Sequence, residues 1–122
     1  MENFSIEMSD RLMYFVVKIM KLESQLCKTY SGRQIYGQLF RAGTSSEANF
    51  EEARSGESRA DFIHKMQIVL KELRESHFWI KLIIAADKIC SMDETLNSLS
   101  KESTELFNIT AKSVVTAKSK II

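Results

Sequence analysis

The sequence predicts an all-α protein, an antiparallel up-down-up-down four-helix bundle. Three observations predict it. There is no proline and there are only four glycines in 122 residues. Apolar residues recur at alternating steps of three and four along most of the chain. Short polar joints cut that pattern into four lengths, as short-linked bundles require. The length fits one domain spanning residues 1–122, with enough residues for a core but little surplus if one side also faces a partner.

A first helix is predicted over Ser5 to Lys28, because Met8, Leu12, Phe15, Ile19, Leu22 and Leu26 keep one stripe facing a neighbour, with Val16 and Met20 widening it. Thr29 to Gly32 interrupt the pattern. Ser31 with Gln34 has the form of a capping box and predicts the start of the second helix. Its inward positions are Ile35, Leu39, Ala42, Ser46, Phe50 and Ala53, with Gly43 beside them. Residues that small predict a close helix crossing.

Ser55 to Ser58 read as a tight joint, with Gly56 suited to a left-handed cap and Ser58 with Asp61 opening the third helix. That helix is predicted from Arg59 to Lys88 and is apolar on two sides. One stripe is Phe62, Met66, Val69, Leu73, Ser76, Ile80 and Ile83; the other is Ile68, Phe78, Leu82, Ala85 and Ile89, with Trp79 between them. A helix striped on two faces is either central or touches another subunit. Ser91 with Glu94 predicts a third capping box and a fourth helix from Met92 to Lys118, through Leu96, Leu99, Leu106, Ile109 or Thr110, Val114 and Ala117. Its many serines and threonines make it depend on packing.

Lys and Arg number 17 against 16 Asp and Glu, a formal charge of +1 that provides no general field for phosphate. Glu2 and Glu7 replace the basic start of an export signal, and no window approaches the roughly 18 apolar residues of a membrane span. A cytoplasmic protein without membrane partners is expected. Cys27 and Cys90 are then reduced thiols acting as small hydrophobes, although such a bundle would bring them to the same end.

No catalytic or cofactor signature is present. A di-iron bundle needs Glu-x-x-His on two helices, whereas Asp61 precedes His64 as a capping residue and His77 has Arg74 three residues before it. Neither cysteine has a suggestive histidine nearby, and no glycine-rich phosphate loop exists. An enzyme using Glu52, Asp61, Glu72 and Glu75 is the weakest reading; no enzymatic activity and no cofactor are expected.

The informative cluster is polar: Gln38, Arg41, Asn49, Glu51 and Glu52 on the second helix, and Asp61, Lys65, Lys71, Glu72 and Glu75 on the third. It is either a solvated face with pairs such as Lys71 to Glu75, or a set of charges that crosses to a facing helix and fixes register. Trp79 favours the second, as an anchor beside charged neighbours. For nucleic acid the candidates are Arg33, Arg41, Arg54 and the tail lysines Lys112, Lys118 and Lys120, although acids are interspersed with the arginines.

The run Gln38-Leu-Phe-Arg41-Ala-Gly-Thr-Ser-Ser-Glu-Ala-Asn49-Phe-Glu-Glu52-Ala53 resembles the signature of the 23S rRNA intervening-sequence proteins, small four-helix bundles. Ser58, Asp61, Phe62, Lys65, Ile68, Lys71, Glu72, Glu75 and Trp79 resemble that family's second signature. The resemblance implies a bacterial bundle that assembles as a homopentameric ring, encoded within ribosomal RNA genes or free-standing, with no established enzymatic activity. It also implies a distant relation to the accessory protein of diversity-generating retroelements, which binds nucleic acid and a reverse transcriptase. Ser46, Glu47 and Leu73 depart from the family pattern, and the Glu47 carboxylate counts against RNA binding through the second helix. The expected function is therefore a self-assembling scaffold for a protein or nucleic-acid partner, RNA or a nucleic-acid-bound protein among them, with direct binding of structured ribosomal RNA as the alternative.

Overall fold

The computed structural model describes residues 2–86, 88–89 and 93–120, with side chains from Phe4 onward. Four long helices and one single turn make up the described chain: α1 (Glu2–Met20), α2 (Glu23–Leu26), α3 (Tyr30–Arg54), α4 (Arg59–Ala85) and α5 (Glu94–Ser119). There is no strand among the described residues. α3 packs between α1 and α4, α4 packs on α5, and α5 closes onto α1. Cross-helix pairs set the order of the contacts. Arg11 meets Glu102 and Glu105, Lys18 meets Ser98, and Gln25 meets Asp93, so numbers rise along α1 and α2 as they fall back along α5 to its cap.

The inward stripes meet in one core. Leu12, Phe15 and Ile19 of α1 join Leu39 and Phe50 of α3, Met66, Leu73 and Ile80 of α4, and Leu96, Leu99 and Leu106 of α5. Of the two candidates near the end of α5, Thr110 is buried and Ile109 only half-buried. Four hydroxyls occupy core positions, and each donates to a carbonyl of its own helix: Ser46 to Gly43 at 2.7 Å, Ser76 to Glu72 at 2.9 Å, Ser103 to Ser100 at 2.9 Å and Thr110 to Leu106 at 2.8 Å. Bonding back to the same helix lets small polar residues sit in an apolar interior without an orphaned group. The predicted small-residue seam brings α1 onto α3: a Cβ at Gly43 would lie 2.6 Å from Ile19 Cδ1.

Several boundaries differ from the sequence reading. The first helix breaks after Met20, where Lys21 N is shared between the Val17 and Lys18 carbonyls and Leu22 N reaches back to Ile19 at 2.9 Å. These tightened bonds turn the chain before the short α2. Met20 faces outward and does not widen the stripe, whereas Val16 does. α3 is capped by Thr29, whose hydroxyl accepts from Gly32 N at 3.0 Å, and not by Ser31; the Ser31 hydroxyl accepts from Lys88 Nζ at 2.5 Å. Gly56 is not left-handed. Its place is set by closeness, a Cβ there lying 3.3 Å from the Ala53 carbonyl oxygen. Ser58 caps α4 as predicted, accepting from Asp61 N at 3.1 Å, but that helix ends at Ala85 and not at Lys88. α5 is capped by Asp93, which accepts from Leu96 N at 2.9 Å. Cys90, the predicted cap at Ser91 and the predicted start at Met92 lie outside the described residues; Cys27 is a half-buried free thiol.

Candidate functional site

The signature charges of α3 and α4 meet each other within the chain. Arg41 donates to Glu72 Oε2 at 3.0 Å and also to Glu75, while Lys65 donates to Glu52 Oε1 at 2.9 Å. The guanidinium of Arg41 is held above its ordinary pKa, chiefly by its hydrogen bond to Glu75. Glu75 accepts as well from the Trp79 indole at 3.2 Å. Lys71 makes no such pair among the described residues: the predicted Lys71 to Glu75 contact does not form, and the contacts of Glu75 are with Arg41 and Trp79. Gln38 accepts weakly from Arg41 at 3.5 Å, and Asn49 donates to the Ser45 carbonyl at 2.9 Å. Asp61 stands exposed in the first turn of α4, and Phe62 is half-buried against the core.

The apolar surface is distributed differently from the sequence reading. On α4 the first stripe is buried except for half-buried Phe62. In the second stripe Ile68 and Leu82 are half-buried, Ile89 is buried, and Phe78 and Ala85 are exposed. Trp79 packs on the core with its ring edge-on to Phe78 at 4.9 Å between centroids, so Phe78 is the outward ring. The larger exposed face is on α1, where Ile6, Met13, Val17 and Met20 follow one another at i, i+7, i+11 and i+14 with Tyr14 beside them. That spacing puts them on one side of the helix. The seven-residue recurrence of Ile6, Met13 and Met20 was the signal in the sequence, hidden beside the stronger inward stripe.

Glu47 departs most from expectation. It is 8 % exposed, in the seam where Ser9 of α1 donates to Glu51 of α3. Burial raises its pKa to about 8, and its hydrogen bond to Glu51 adds to the rise. Glu51 is shifted the other way, mainly by that same bond. Glu47 Oε2 finds no donor among the described residues, which is the expected state of a carboxyl that keeps its proton and gives it to Glu51. With that proton held, Glu47 adds no charge of its own and the charge of the pair rests on Glu51.

A stability prediction follows from this proton. Between about pH 4.5 and 8 the folded chain holds a proton at Glu47 that the unfolded chain has released. Its contribution is therefore fully present below the unfolded pKa and is lost as pH rises through 8. Glu47→Gln keeps a donor toward Glu51 and has nothing to titrate. It is expected to melt above the parent at pH 9 and to flatten the decline between pH 5 and 9. An unchanged pH slope in the variant would show that Glu47 is already ionised in the fold.

The nucleic-acid candidates are scattered. Arg41 is occupied by Glu72 and Glu75, and Arg54 by Glu51 at 3.0 Å. Arg33 lies in the first turn of α3, at the end of the bundle opposite Lys112, Lys118 and Lys120 near the close of α5. Lys112 and Lys120 share a groove with Arg59, and Arg74 and Lys81 flank Phe78 on α4. Among the described residues no group of three His, Cys, Asp or Glu side chains could hold a metal ion, and no helix is long and apolar enough to cross a membrane.

The fold and the α3–α4 ion lattice define a small helical-bundle protein whose distinctive residues tie its central helices together. The chain belongs to the family described as 23S rRNA-intervening sequence protein, whose model matches residues 5–112. It is similar to a crystal structure of a protein of unknown function from the S23 ribosomal protein family of Bacteroides thetaiotaomicron. The two are 34% identical, with a TM-score of 0.78, over 88% of this chain and 97% of that chain. No curated protein matches the chain.

Proposed function

We propose that this protein is a non-catalytic, self-assembling helical bundle, a homopentameric ring that serves as a scaffold for a protein or nucleic-acid partner. The outward stripe of α1 carries the proposal: Met13 is 53% and Met20 50% exposed, with Ile6 and Val17 in line with them. A contiguous apolar face of this kind marks an interaction surface, and exposed Phe78 and Ile84 on α4 offer a second. A closed ring needs two different faces on each subunit, one for each neighbour. The number five rests on the family resemblance.

Light scattering at micromolar concentration tests the assembly. The parent chain is expected to give a mass near five times 14.0 kDa. Met13→Glu combined with Val17→Glu, both on the surface, should shift it to smaller species without lowering helix content. A monomeric parent ends the proposal.

The second reading, direct binding of structured ribosomal RNA, is favoured by the family and by Lys112, Lys118 and Lys120, none of which is paired with an acid among the described residues. Affinity should fall steeply with salt, and Lys112→Ala should reduce the slope by about one per chain that contacts phosphate. Binding independent of salt counts against it.

A further inference from the structure

Where α1 and α4 begin and α5 ends, three helices leave a groove of about 330 Å³, within the size range of small-ligand sites. α5 and its C-cap Lys120 line it at Ile109, Lys112, Ser113, Thr116, Ala117 and Lys120, which are i, i+3, i+4, i+7, i+8 and i+11 and so form one continuous strip. Phe4 of α1 and Phe62 of α4 form its other apolar walls, and Arg59 of α4 adds a third cation to the two lysines. Among the described residues no acid lines the groove, although Glu57 and Asp61 lie close by in sequence. Arg59, Lys112 and Lys120 take part in none of the chain's ion pairs among the described residues.

An apolar floor beside three cations that no described acid pairs is complementary to an apolar tail with an anionic head. Burying the tail against Phe62, Ile109 and Ala117 removes exposed hydrocarbon from water. The cations satisfy the head by charge-assisted hydrogen bonds, their own stems lying along the apolar wall. A nucleobase fits less well, because its edge needs several fixed donors and acceptors and the floor supplies only the Ser113 and Thr116 hydroxyls. We infer that this groove is a binding site for a free fatty acid, its acyl chain lying between Phe4, Phe62 and the α5 strip and its carboxylate drawn to the cations that line it, Arg59, Lys112 and Lys120. The site is formed within one chain and does not rest on the ring.

Calorimetric titration of the full chain with dodecanoate below its micellar concentration tests this, with dodecyltrimethylammonium as the same tail carrying the opposite charge. Dodecanoate is expected to bind once per chain and the cationic amphiphile much more weakly. Replacing Arg59, Lys112 and Lys120 together by Ala should weaken dodecanoate binding by about tenfold or more. Thr116→Trp, at an exposed position, should block the groove without entering the core, as an unchanged circular dichroism melt would show. Equal binding of the two amphiphiles, or full binding by either variant, overturns the inference. So does binding that appears only after residues 121–122 are removed, which would make the chain's own end the occupant, and so does binding of an RNA oligomer with none of dodecanoate. Light scattering of the same samples separates this result from the fate of the assembly proposal.

Discussion

Gly32→Ala is expected to lower stability by about 3 kcal/mol, the upper part of the range for overpacked sites. The cause is backbone. A Cβ at Gly32 would lie 1.8 Å from the Leu26 carbonyl oxygen and 2.9 Å from its carbon. No rotamer change can relieve a collision with main chain, so the α2–α3 link must open. Opening it disturbs two further features: the Thr29 cap, 3.0 Å from the added atom, and the anchoring of fully packed Leu26. The urea midpoint should fall with an unchanged slope. Gly37→Ala is the natural control, since nothing lies within 4 Å of a Cβ there. It should stabilise by roughly 0.5–1 kcal/mol, as alanine does in place of a mid-helix glycine. If Gly32→Ala unfolds at the parental midpoint, the close approach is not a feature of the folded chain.

Arg41→Met should be the next most costly change. Glu72 is 5 % exposed, and Arg41 is its cation. Removing one partner of a buried pair leaves an uncompensated charge and costs about 3–5 kcal/mol when both groups are buried. The Arg41 side chain is 47% exposed, and water will screen part of the loss, so about 2 kcal/mol is expected. Glu72→Met added to Arg41→Met should recover most of it, because an apolar pair needs no counter-charge. A double-mutant cycle measures the coupling. Simple additivity of the two single losses would mean that the pair is not a unit.

These two sites show what could be read from the sequence. The inward stripes were legible because each depends only on spacing: Leu39, Ala42, Ser46 and Phe50 face the core as periodicity requires. The Ser58 cap was legible for the same reason, since the contact spans three residues. The break after Met20 was not, because no proline or glycine marks it and Leu22 and Leu26 continue the stripe through it. Thr29 and Ser31 are both competent caps. The extended backbone of Thr29 makes it the cap, while Lys88, past the end of α4, donates to both hydroxyls, at 2.5 Å to Ser31 and 3.5 Å to Thr29; no local pattern contains that information. The polar cluster on α3 and α4 was visible as a set of residues, but its pairing was not: Arg41 could as well have faced solvent. Glu47 looked like a surface acid until the seam between α1 and α3 enclosed it.

The chain has one tryptophan, and its indole donates to the same Glu75 carboxylate that Arg41 holds across to α3. An ultraviolet fluorophore is thus wired to the joint between the two central helices. Its emission colour and quenching register whether that joint is closed, so the native protein reports the state of its own signature residues without any label.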